Sequence, residues 1–280
     1  MDEASVIDAT PPVEKALSQD RGKLGRWRLP RSLRRFSGPL LVIIIWQLLS
    51  TVGLLNPHTL APPIQVVRTG WDLIQSGTLG VNAWASLKRV LVGAAFGVSS
   101  GLVLAVLGGL FRIGEDLVDS TMNMLRTIPV LALEPLLILW FGLGEPPKIV
   151  LIAIATSFPV YLNTFSSIRG VDNGLVEAAQ TLGLGRGGLI RHVILPAALP
   201  GFLVGLRYSL GNAWLVLVLA EQLNAYQGLG YMLAQAQEYF QTNVIVVLLA
   251  VYGLLGLLCD AVVRLLERRL LVWRRGFSGT

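Results

Sequence analysis

The sequence predicts an all-α polytopic membrane protein with six transmembrane helices and both termini on the cytoplasmic side. Three observations lead there. Of 280 residues, 53% are hydrophobic and only 14% charged, and the mean hydropathy is +0.63; an average soluble domain carries about 25% charged residues. Apolar runs close to the ~20 residues that cross a bilayer recur along the chain, with no series of ~10-residue alternating segments of the kind that builds a transmembrane barrel. Arginines gather at the ends of those runs, mostly on one side.

Residues 1–36 read as a basic cytoplasmic tail, partly disordered up to about Lys23, with Pro11-Pro12 followed by seven arginines and lysines from Arg21 to Arg35. That basic region is too long for a secretory signal, so no cleavable signal peptide is expected. Within it, 24–36 mixes Trp27, Leu29, Leu33 and Phe36 with arginines, as an interfacial segment on anionic lipid does. The membrane domain is expected over 37–270, with spans at 39–53, 90–110, 128–143, 149–165, 196–220 and 244–263, and 271–280 as a cytoplasmic tail. The first span is short and contains Trp46. The second is glycine-rich, the third contains Glu134-Pro135, the fourth is broken by Pro159, the fifth carries Arg207, and the sixth has Asp260 near its end. Proline and glycine in such spans serve kinking and close packing, and the tryptophans read as interface anchors.

Charge orients the bundle. With the N-terminus inside, 18 of the 23 Lys and Arg are cytoplasmic: eight in the tail, Arg112 and Arg126, then Arg169, Arg186 and Arg191, and five from Arg264 to Arg275. Only Arg68, Lys88, Arg89 and Lys148 fall outside, and Arg207 lies within a span. This asymmetry favours an even number of spans. The net charge of +6 is therefore a topology signal, and no nucleic-acid partner is expected. The single cysteine, Cys259, excludes an intramolecular disulfide, and His58 and His192 lack metal-ligand spacing, so no metal site is expected.

Two outer loops are long. Residues 54–86, with Trp71 and Trp84, suggest a helix lying at the interface, and 221–243 contains no Lys or Arg and turns at Gly228-Leu229-Gly230. The cytoplasmic loop 166–192 is the most informative. Asp172 and Asn173 are good helix N-caps, and Leu175, Val176, Ala178, Ala179 and Leu182 make a small apolar face. Gly183 can take positive φ and end that helix. A second short helix at 189–193 then leads to Pro196, which is suited to starting the fifth span.

These residues resemble a known family. Glu177-Ala178-Ala179, three residues, Gly183, nine residues, then Val193-Ile194-Leu195-Pro196 matches the signature of the membrane subunits of binding-protein-dependent ABC importers, with Val193 in place of the usual isoleucine. Ile138-Leu139-Trp140-Phe141-Gly142, Gly205-Leu206-Arg207 and Gly228-Leu229-Gly230-Tyr231-Met232 resemble the subgroup importing aliphatic sulfonates, taurine and nitrate, the sulfonate permeases above all. The resemblance implies the type I importer permease fold in a bacterial inner membrane. It implies a homodimer of this chain, two cytoplasmic ATPase subunits that hold ATP and Mg, and an extracytoplasmic solute-binding protein. A coupling helix at about 173–183 would seat in the ATPase. The chain itself has no glycine-rich phosphate loop, so it is expected to be a transport subunit without catalytic residues or a cofactor of its own. The cargo it implies is an aliphatic sulfonate, with taurine, nitrate or bicarbonate as alternatives.

Other readings stand beside these. Glu177 is also a carboxylate placed to stabilise its own helix. Arg207, about 16 Å along a helix from Pro196, would sit near the bilayer midplane, either attracting an anion or paired structurally. Glu134 stands where the family pattern is apolar; it would pair with Arg207, hydrogen-bond in protonated form, or touch a substrate's ammonium. A proton-coupled secondary carrier using Glu134, and a membrane protein whose 166–192 loop docks a soluble regulator, are the two alternatives from other classes.

Overall fold

The computed structural model describes residues 31–55, 59–111 and 114–273. The expectations for 1–30, for Arg112, and for Arg274 and Arg275 lie outside the described residues. The chain is helical throughout the described residues. Helix α1 (Arg31–Thr51) is followed by α2 (Pro63–Gln75), which opens on proline at its first turn, and by α3 (Thr78–Leu110). A π turn at Glu115–Asp119 leads into α4 (Ser120–Leu125). A 3-10 turn at Val130–Leu133 leads into α5 (Glu134–Phe141). Then come α6 (Glu145–Arg169), α7 (Asn173–Thr181), α8 (Arg186–Leu189) with a π turn at Ile190–Ile194, α9 (Leu195–Asn224), α10 (Leu229–Glu238) and α11 (Thr242–Leu270).

Helix α6 is the centre of the bundle, and α3 and α9 pack along it. Its Leu151, Ile152, Val160 and Tyr161 are buried, as are Leu203 and Leu217 of α9. Glycines set the α3–α6 spacing. A Cβ on Gly93 would stand 2.7 Å from the Ile152 side chain, and one on Gly101 would meet the Ser157 carbonyl. Small residues at these positions bring two backbones into contact, the packing that holds helices together in lipid. Outer faces stay apolar and exposed, for example Phe96 and Val103 on α3 and Leu249, Leu254 and Leu257 on α11.

Four helical stretches are long and apolar enough to cross a membrane: Thr78–Leu110, Glu145–Arg169, Arg186–Asn224 and Thr242–Leu270. They correspond to the expected second, fourth, fifth and sixth spans. The second begins at Thr78, well before 90, because the amphipathic α2 ends at Gly77 in a left-handed conformation and α3 starts at once. The expected third span is bent: Glu115–Leu125 and Val130–Phe141 meet at 86°. Pro129 at the bend has extended backbone and cannot continue α4. The expected first span is represented by the apolar stretch Leu40–Thr51, shorter than the ~20 residues of a full crossing.

Two local expectations are corrected. Pro159 does not break the fourth span, because α6 runs through it. Pro159 costs its turn one N–H donor, and α9 packs closely on that turn at Gly205, whose Cβ would lie 2.7 Å from the Pro159 carbonyl. The second short helix does not stop at 189–193. It begins at Arg186 and passes through the π turn into α9 without a break, so Pro196 lies in the first turn of a helix already under way.

Candidate functional site

The loop between α6 and α9 folds as its sequence dictates. Asp172 caps α7, its carboxylate accepting the Gly174 N–H at 2.8 Å. At the other end Gly183 has φ +83°. The Gly183 N–H donates to the Gln180 carbonyl (2.9 Å) and the Leu184 N–H to the Ala179 carbonyl (3.1 Å), a Schellman closure that fixes where the helix stops. Helix α7 is thus a short rod defined at both ends.

Its faces differ. Ala179 is buried against the bundle, and Glu177 and Ala178 are exposed. Leu175, Ala178 and Leu182 recur at helical spacing on an outward stripe, with Leu175 56% and Leu182 81% exposed. An apolar stripe on a helix that is too short to span is a surface built to be covered. Val193, Leu195 and Pro196 do not share that surface. They lie in the π turn and first turn of α9, where Val193 and Pro196 are half-buried, and they join the α7 region to the long helix.

The other end of α9 carries a buried charge cluster that sequence reasoning did not assemble. Glu221, with no exposed surface, accepts from Arg89 Nη1 (2.6 Å), from Ser86 Oγ (2.8 Å to each carboxylate oxygen) and from the Gly230 N–H (2.8 Å). Arg89 Nε and Nη2 grip Glu145 bidentately at 2.6 and 2.7 Å, and its Nη1 also donates to the Gln227 carbonyl at 2.6 Å. Lys148 Nζ donates to the Asn224 carbonyl at 2.6 Å and stands 3.6 Å from Glu145. The Leu229 N–H donates to Ser86 Oγ (2.8 Å) and the Gly228 N–H to Asn82 Oδ1 (2.7 Å). The cluster therefore ties α3, α6, α9 and the start of α10 into one unit. Gly228 and Gly230 are required there: Gly228 has φ +131°, and a Cβ on Gly230 would stand 2.7 Å from that of Glu221. The signal was present as Arg89, Glu145, Lys148 and Glu221 near the ends of apolar runs, but four charges scattered over 130 residues do not reveal that they meet.

Arg207 and Glu134 do not pair. Arg207 is held by α11, with Nη2 donating to Glu267 at 2.7 Å and Nε 3.2 Å from Asp260 as an ion pair without hydrogen-bond alignment. Asp260 also pairs with Arg264. Arg207 is thus joined to α11 at Asp260 and Glu267, the first well inside that helix and the second in its last turn. The helical stretch containing it runs Arg186–Asn224, and Arg207 stands near its middle. Glu134 is elsewhere, 2% exposed at the start of α5, and neither carboxylate oxygen has a hydrogen-bond partner. Lys148 is the cation whose field reaches it. The predicted positions thus fall into three separate places: the α7 rod, the Arg207 ion pairs and the isolated Glu134.

Comparison with known proteins adds the following. The family described as binding-protein-dependent transport system inner membrane component matches residues 97–272. A protein of Bacillus subtilis (strain 168), provisionally named an aliphatic sulfonates transport permease, is 44% identical over 241 residues, 86% of this chain and 87% of that protein. Its provisionally named counterpart in Escherichia coli (strain K12) is 46% identical over 239 residues, 85% of this chain and 91% of that protein. Among solved structures, an inward-facing methionine ABC transporter chain superposes with a TM-score of 0.56 over 68% of this chain and 96% of its own, at 22% identity, a likeness of fold.

Proposed function

Because this chain belongs to the inner membrane components of binding-protein-dependent transport systems, we propose that it is the permease of an ATP-driven importer whose cargo is a small aliphatic sulfonate. In this reading the chain crosses a bacterial inner membrane six times, with both termini in the cytoplasm, and α1 and the bent α4–α5 pair are the first and third spans. Two copies form the pathway. Two cytoplasmic ATPase subunits, which hold ATP and Mg, receive α7, and an extracytoplasmic binding protein delivers the anion. Taurine, nitrate and bicarbonate are the alternative cargoes of the same machinery.

The observation that carries the reading is the capped α7 rod with its outward stripe of Leu175, Ala178 and Leu182. Movement of a partner against this rod is passed on through Val193, Leu195 and Pro196 into the 30-residue α9. At 1.5 Å per residue that helix is about 45 Å long, enough to cross the membrane. In its last turn stands Glu221, where Arg89, Glu145 and Lys148 bind α3 and α6 to it. A push at one face therefore becomes a rigid-body displacement at the other. The chain contributes leverage and a path, and the ATPase contributes the energy.

The test is reconstitution of this chain with its ATPase and binding protein in proteoliposomes. The expected result is uptake of ethanesulfonate that requires ATP and the binding protein. Uptake driven by a pH gradient in the absence of the ATPase would instead establish the proton-coupled carrier, for which the unpartnered Glu134 is the supporting feature.

A further inference from the structure

A cavity of about 680 Å³ opens beside the bend between α4 and α5, between α6 and α9. Its volume falls within the ~300–1,000 Å³ of small-ligand sites. It lies at the middle of both long helices, reaching Ala155 on α6 and Asn212 on α9. One basic side chain stands on its wall, Arg126, which the sequence counts among the cytoplasmic arginines and the fold puts at the bend itself, and no carboxylate does. The guanidinium of Arg126 makes no ion pair or hydrogen bond among the described residues, and neither do the Tyr208 hydroxyl and the Asn212 amide. Asn163 donates only to its own helix, at the Pro159 carbonyl. Phe158, Leu162 and Leu215 supply an apolar flank.

Polar groups halfway along membrane helices are costly against lipid and mark water-filled paths. A broken helix at mid-depth is also where transporters commonly build their sites, because the bend admits side chains that a straight span would hide. Another cavity with basic residues on its wall differs. It contains Lys88 and Arg89 but also Glu145, which already occupies Arg89.

We infer that this cavity is a waystation for the anion within the pathway, with Arg126 holding the sulfonate head, Tyr208 and Asn212 donating to its oxygens, and Phe158, Leu162 and Leu215 flanking the alkyl tail. The inference rests on the permease reading and deepens it. It places the anion's cationic partner at Arg126, not at Arg207, whose charge Asp260 and Glu267 already engage.

The experiment uses the complete importer in proteoliposomes, with ethanesulfonate and hexanesulfonate as probes. Arg126→Ala should lower ethanesulfonate uptake about tenfold or more, the loss of a charge-assisted hydrogen bond to the anion. Arg126→Lys should restore part of it. Leu215→Trp, at an exposed position that the fold does not need, should slow hexanesulfonate more than ethanesulfonate. Co-purification of the ATPase with each variant serves as the check on folding. Wild-type uptake by Arg126→Ala, or equal slowing of both probes by Leu215→Trp, overturns the inference. So does loss of the ATPase from the Leu215→Trp variant, which would make this face a contact between subunits. If the wild-type assembly takes up neither sulfonate, the cargo assignment fails first and the inference falls with it.

Discussion

Glu221→Gln perturbs the structure at a carboxylate with no exposed surface. The carboxylate receives Arg89, Ser86 and the Gly230 N–H, all donors, on two oxygens. A glutamine offers one oxygen, and its NH₂ must face one of those donors. Breaking a buried ion pair by removing one partner costs about 3–5 kcal/mol when the remaining charge is orphaned. Arg89 keeps Glu145, whose side chain is 53% exposed, so the lower end, about 3 kcal/mol, is expected. The assay is SDS-driven unfolding of the purified chain in bicelles, followed by circular dichroism. A double-mutant cycle with Arg89→Met and Glu221→Leu separates the pair from its surroundings. Two apolar side chains leave neither buried member of the pair orphaned, while Glu145 keeps Lys148 at 3.6 Å, so the double variant should lose less stability than the two single variants together, by more than about 1 kcal/mol. A loss below about 0.5 kcal/mol for Glu221→Gln, or strict additivity in the cycle, would refute the reasoning.

Three further outcomes are expected. Gly205→Ala inserts a methyl 2.7 Å from the Pro159 carbonyl and 3.0 Å from the Val160 Cα, and should destabilise the same preparation by about 1–3 kcal/mol through overpacking of α6 against α9; an unchanged unfolding curve contradicts the close contact. Gly183→Ala must adopt φ +83° with a Cβ, at about 1–2 kcal/mol, which should fray α7 and raise amide exchange at Gln180–Leu184 with little effect on the bundle. Glu134→Leu removes a buried carboxyl without a partner and should raise stability by about 1–3 kcal/mol; lower stability would reveal a partner for Glu134 in the assembled protein.

What the sequence made legible was set by local physics. The ends of α7 were readable because Asp172 and Gly183 act on their own neighbours, through a side-chain cap and a positive φ. Four of the spans were readable because hydropathy over ~20 residues is a local sum. The bend at Pro129 was missed because Glu115, Asp116, Asp119 and Arg126 make the segment before it too polar to read as part of a span, so only 128–143 was taken. Pro159 was misjudged as a break because a proline removes one hydrogen bond without ending a helix whose neighbours, α3 and α9, hold it along its length. The same blindness hid the charge cluster, whose four helix-end charges meet only after α3, α6 and α9 have packed. The partners of Arg207 were hidden for the same reason, because Asp260 and Glu267 lie on the last helix of the chain.

The central claim is that α7 is the element through which a partner ATPase drives the bundle. It is tested most directly by deleting 178–183 and measuring both co-purification of the ATPase and ATP-dependent sulfonate uptake, beside a Leu175→Asp variant that leaves the α7 backbone and its caps intact. The account predicts that the deletion abolishes both, and that Leu175→Asp, which places a charge in the outward stripe, weakens ATPase association while the circular dichroism of the chain is unchanged. An ATPase that still binds and drives uptake after the deletion would contradict the account.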